Sequence, residues 1–206
     1  MEKKKINYKL AAFLLLPLLL WPLSFIVLRP WFVYAMAAST IFLGSLSLLW
    51  FRSYIRFNTK SIAYAIAVGA IASAGLYLIF FFGNIFVSMI GLSGQVSDVY
   101  GMLYAGNRVA IAVILPFIAV FEEIYWRGGL QGYARKRSKI FSKAPWVAST
   151  AYYSLIHLST LNPVLPLAAF AVGLVASLIA EKYGIVASSI AHVIWIEAIV
   201  IFLPVI

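Results

Sequence analysis

The chain has 206 residues, 64% of them hydrophobic and only 11% charged. A soluble core does not need two residues in three to be apolar, because its surface must meet water; lipid-facing helices do need it. The composition therefore predicts an all-α, polytopic integral membrane helical bundle and excludes a soluble domain of any size. The net charge is +10, but the cations sit in short clusters between apolar runs, not in stripes interleaved with stacking aromatics. That placement argues for a lipid bilayer and against a nucleic-acid partner. There is no cysteine, which excludes a disulfide framework, a cysteine nucleophile and thiolate metal sites.

Crossing the hydrocarbon takes roughly 20 helical residues at about 1.5 Å each. In chain order, the apolar runs predict spans at 10–28, 31–51, 61–90, 109–126, 144–158, 163–180 and 185–204. The first is too long for the apolar region of a secretory signal and reads as a retained span. The third either tilts strongly or breaks near Gly83-Asn84, so the count is seven, with eight as the alternative. Its Ala65, Gly69 and Ser73 form a small-residue row that predicts a close helix-packing face. Residues 91–107, with Asp98, read as an extracytoplasmic turn. Pro17, Pro22 and Pro116 predict kinks. Trp21, Trp31, Trp50 and Trp146 fall near span ends, where an interfacial aromatic belt is expected. No repeat or linker interrupts the pattern, so residues 1–206 read as a single transmembrane domain.

The cation clusters set the orientation. With the N-terminus in the cytoplasm, seven spans leave Lys3, Lys4, Lys5 and Lys9 inside, then Arg52, Arg56 and Lys60. The same threading keeps Arg127, Arg135, Lys136, Arg137, Lys139, Lys143 and Lys182 inside. Arg29 and Arg108 fall outside, so 14 of the 16 cations share one side, as the positive-inside rule asks. The expectation is a multi-pass cell-membrane protein with a cytoplasmic N-terminus and an extracytoplasmic C-terminus.

A charge inside a bilayer costs at least a few kcal/mol, so an intramembrane ionisable group is a functional candidate. Five remain once the flanking cations are set aside: Glu122, Glu123, His157, His192 and Glu197. Glu122 lies 13 residues before Arg135, His157 lies 14 after Lys143 and His192 lies 10 after Lys182. At the helical rise these offsets are about 20, 21 and 15 Å, so three spans bring a carboxylate and two imidazoles to similar depth. Glu123 and Arg127, acid first at i, i+4, have the favourable order for an ion pair. Glu122 has no such partner on its own helix and is left free to act as a general base. A carboxylate base beside one imidazole can activate water while a second imidazole donates to an oxyanion, a recipe for peptide hydrolysis. The same three residues could instead ligate zinc, although no H-E-x-x-H is present. A purely structural role for both glutamates, and a transporter or proton relay, are the remaining readings.

These residues also carry a resemblance. Glu122-Glu123-Ile124-Tyr125-Trp126-Arg127 matches the E-E-x-x-x-R motif of the CPBP family, the CAAX-protease and bacteriocin-processing membrane proteins. Tyr153-Ser154-Leu155-Ile156-His157 is similar to that family's second motif, and Ser189-Ile190-Ala191-His192 resembles the third. The resemblance implies a glutamate-dependent intramembrane endopeptidase with its catalytic core at about 108–206 and no cofactor. It implies that Glu122 and His157 activate the water, that His192 helps bind the oxyanion, and that Glu123 and Arg127 support them. The substrate expected is a peptide or membrane protein, lipid-modified or not, cut near the cytoplasmic leaflet. One position departs from the pattern: the family usually has Asn four residues after the last histidine, and Ile196 stands there. Ser188, Ser189 and Trp195 are the nearby groups able to replace that donor. The same departure motivates the alternative, a non-catalytic CPBP-like membrane partner or immunity protein.

Overall fold

The apolar runs fold as helices because, in lipid, only internally paired backbone is affordable. The computed structural model describes residues 8–57 and 61–206; Lys3, Lys4, Lys5 and Lys60 lie outside them. Among the described residues there are helices and turns and no strand. The helices are α1 (Tyr8–Pro22), α2 (Phe32–Trp50), α3 (Ile62–Met89), α4 (Ser93–Leu103), α5 (Arg108–Glu123), α6 (Gln131–Arg137), α7 (Pro145–Ile156), α8 (Val164–Tyr183) and α9 (Ile185–Glu197). Wider π-type turns continue α1, α5 and α9 over Leu23–Val27, Ile124–Leu130 and Ala198–Phe202.

Among the described residues, six stretches are long and apolar enough to cross a membrane: Tyr8–Val27, Arg29–Trp50, Ile62–Met89, Arg108–Arg137, Val164–Tyr183 and Ile185–Phe202. The expected span at 144–158 is shorter than these, a 12-residue helix α7 followed by a 3₁₀ turn, His157–Thr160. The third span does not break: α3 runs through Gly83 and Asn84 as one helix of 28 residues. The segment at 91–107 is also more ordered than a turn. It holds α4, because Tyr100 buries itself and donates its hydroxyl to the carbonyl of Ile199 at 2.9 Å, drawing the helix back onto the bundle.

Polar contacts gather at two ends. At one, Lys136 Nζ donates to the carbonyl of Ser53 at 2.7 Å, Arg135 Nε to Glu181 Oε1 at 3.0 Å, and the Ile185 amide to the carbonyl of Arg56 at 3.1 Å. At the other, Arg29 pairs with Asp98, and Asn162 Nδ2 donates to the carbonyl of Gln95 at 2.9 Å. Successive long helices run antiparallel between these ends, with α9 packed against α3, α5 and α8.

The small-residue row of α3 is a packing face. Ala65 is buried with Ile179, Ala187 and Ala191, and a Cβ on Gly69 would lie 2.6 Å from Ile190 Cγ2. Gly44 of α2 plays the same part against α5, where a Cβ would meet the Phe121 carbonyl oxygen at 2.9 Å. These contacts seat two helix backbones side by side, where van der Waals packing is the main attraction available in lipid. Leu15, Leu49, Ile71, Phe82 and Leu167 stay exposed on the outside, as lipid-facing residues should.

Candidate active site

The last turn of α5 and the π-type turn after it deliver the acidic motif. Glu122 and Glu123 end α5, Arg127 lies in the turn, and all three are buried. Widened turns of this kind recur at functional sites because they re-aim side chains. Arg127 Nη1 stands 3.0 Å from Glu123 Oε1, and both side chains are fully buried. The i, i+4 pair is there. The same Glu123 oxygen meets His192 Nδ1 at 3.0 Å, so it joins α5 to α9. A carboxylate oxygen only accepts here, which makes His192 Nδ1 the donor and turns Nε2 the other way.

That direction is toward Glu122. His192 Nε2 lies 3.9 Å from Glu122 Oε2, beyond direct hydrogen-bonding reach but not beyond a shared third atom. Glu122 is not left without a partner: the Tyr153 hydroxyl donates to the same Oε2 at 2.9 Å. The face of the Tyr153 ring also carries the Arg127 guanidinium, with Cζ 4.7 Å from the ring centroid.

His157 is held differently. Its Nδ1 donates to the Tyr153 carbonyl at 2.7 Å, and its Nε2 accepts the indole N–H of Trp21 at 3.2 Å. Both ring nitrogens are therefore occupied and the tautomer is fixed. The structure joins His157 to Glu122 through Tyr153. Glu197 stays half-buried at the end of α9, with Oε1 unpartnered.

Trp21 was expected in an interfacial belt and is instead wholly buried, in edge contact with Trp126 and His157. Phe13, Pro17 and Trp21 make one buried stripe at i, i+4, i+8 on α1. The spacing is legible, but α1 is apolar all round, so nothing in its sequence distinguishes the inner stripe from the outer.

The groups around His192 also separate. Ser188 Oγ donates to the carbonyl of Ile185 in its own helix at 3.1 Å and also lies beside the Glu123 carboxylate. The Trp195 ring lies 5.7 Å from that of His192, and its Nε1 has no hydrogen-bond partner. Trp195, Tyr153 and His157 wall a mostly apolar cavity of about 350 Å³, which extends past Leu165 to the exposed Ile79 and Leu167. Among the described residues, no three His, Asp or Glu side chains converge as a metal site would require.

Residues 103–196 match the family model described as Type II CAAX prenyl endopeptidase Rce1-like. That match supports CPBP-family membership. The matched segment starts at the end of α4 and covers Glu122, Glu123, Arg127, Tyr153, His157 and His192, while Trp21 and α3 lie before it. No curated protein and no solved structure matches the chain.

Proposed function

We propose that the chain is an intramembrane endopeptidase that hydrolyses a peptide bond near the cytoplasmic leaflet with a carboxylate-activated water. The observation that carries the reading is the buried Glu122 carboxylate, oriented by the Tyr153 hydroxyl and facing His192 Nε2 across 3.9 Å. The family match supports a CAAX-type membrane protease in general terms. A peptide or membrane-protein substrate, lipid-modified or not, fits a site whose neighbouring cavity is apolar and leads to the outer face.

In this reading Glu122 takes a proton from water as the water oxygen bonds to the scissile carbonyl carbon. The carbonyl π electrons move onto oxygen, and His192, protonated at both nitrogens with Nδ1 on Glu123, offers Nε2–H to the oxyanion. Collapse breaks the C–N bond, and Glu122 returns the proton to the leaving nitrogen. His157 shares the water with Glu122 once the Trp21 indole yields its place on Nε2. Glu123 and Arg127 hold His192 in register, and no cofactor takes part.

The test uses purified protein in liposomes with two probes: a fluorogenic farnesylated CAAX peptide, and a solubilised membrane-protein extract read for new peptide termini. Wild-type protein should cleave at least one, and Glu122→Ala should lower the rate by at least about 10³-fold. Equal cleavage by that variant would reject the role of Glu122. A second reading, a non-catalytic membrane partner, is favoured by Ile196 and by the double engagement of His157. It predicts a stable co-purifying membrane protein whose recovery Glu122→Ala leaves unchanged.

A further inference from the structure

An oxyanion is best held by two donors, and in the reading above His192 Nε2 is one. The second has to be a side chain, because the helical backbone amides nearby are paired within their own helices. Arg127 has N–H groups without a hydrogen-bond partner, but it is paired with Glu123 and does not line the cavity beside Tyr153, and Ser188, also away from that cavity, donates to the carbonyl of Ile185. Trp195 differs from both. It is 8% exposed, its Nε1–H is buried without a partner, and its ring lies 5.7 Å from His192. It also lines the cavity walled by Tyr153 and His157. An unpartnered buried N–H is destabilising, and an incoming substrate oxygen would relieve it. Phe80 of α3 packs against the indole at 4.7 Å between ring centroids, so the ring is fixed before any substrate arrives.

We propose that Trp195 Nε1–H is the second oxyanion donor, acting beside His192 on the same oxygen. Its proton is not transferred; it donates more strongly as the carbonyl oxygen gains charge and relaxes when the C–N bond breaks. The inference rests on the hydrolase reading and assigns a residue within it.

Trp195→Phe keeps an aromatic ring against Phe80 and removes the N–H. With the probe that wild type cleaves, kcat should fall by about 10²–10³-fold while KM changes by less than about threefold. Residue 196 lines the same cavity, so Ile196→Asn placed on Trp195→Phe puts an amide donor at a neighbouring position and should restore at least tenfold of the loss. A purely structural role for the indole would not be rescued this way. Asn84 of α3 lines the cavity too, and Asn84→Leu is the competing arm. Unchanged kcat in Trp195→Phe, or a comparable loss confined to Asn84→Leu, would overturn the assignment and leave the hydrolase reading intact. A wild-type protein that cleaves neither probe overturns both together.

Discussion

Among the described residues, helices α5 to α9 and the turns between them supply the ionisable groups of the candidate site, whereas α1 and α3 touch it only with uncharged ones. Trp21 donates to His157, and Phe80 backs Trp195. The carbonyls of Phe13 and Leu14 accept the hydroxyls of Tyr125 and Tyr152. One region carries the charges, and the other fixes how they are turned. A polar site inside a membrane thus depends on a second, chemically silent layer. In lipid, a buried polar group that drifts out of register has no water to fall back on.

The largest effect on the fold should come from the charged layer. Arg127 and Glu123 are both fully buried, so removing one partner leaves a charge without compensation. Arg127→Ala should destabilise the protein by about 3–5 kcal/mol, read as a lowered Tm in detergent micelles. The double change Glu123→Leu with Arg127→Met should cost less than the sum of the single losses, because it removes both charges together. Additive losses would mean that the pair is not a unit, and that His192 alone holds Glu123 in place.

This asymmetry also explains what the sequence could reveal. Charge in a hydrophobic chain is rare, so Glu122, Glu123, His157 and His192 stand out by residue type, and Glu123–Arg127 by spacing. Similar depth followed from counting residues back to the cations. Facing could not follow. Whether His157 meets Glu122 or Trp21 depends on how α1 and α7 rotate, and α1 offers leucines on every side. The length of α7 was hidden for a related reason: an apolar run continues into a 3₁₀ turn without any change of composition. At 91–107 the polar residues suggested a turn, while the burial of Tyr100 that makes it a docked helix is a tertiary effect.

The uncharged layer should give a smaller, separable effect. Trp21→Phe preserves the buried ring but leaves His157 Nε2 without its donor, which should cost about 1–3 kcal/mol by the same micelle unfolding measurement. If the indole masks His157, cleavage per folded molecule should hold steady or rise. A fall in kcat at intact Tm would show instead that the indole aims His157, and the silent layer would then be part of the site's geometry as well as its support.

An ion pair outside the site gives the smallest effect and sharpens the contrast of depth. Arg29 and Asp98 tie the junction of α1 and α2 to α4, with side chains 46% and 43% exposed. Exposed pairs are worth about 0.2–1 kcal/mol, because water and salt screen them and two side chains lose freedom. Arg29→Ala should therefore shift Tm only slightly, and the shift should shrink further as salt is raised. The same chemistry at Arg127 should be insensitive to salt, since no ions reach it. A loss above about 2 kcal/mol at Arg29 would mean that α4 depends on this contact to stay docked. Tyr100 and its bond to Ile199 would then be too weak to hold the helix over the cavity on their own.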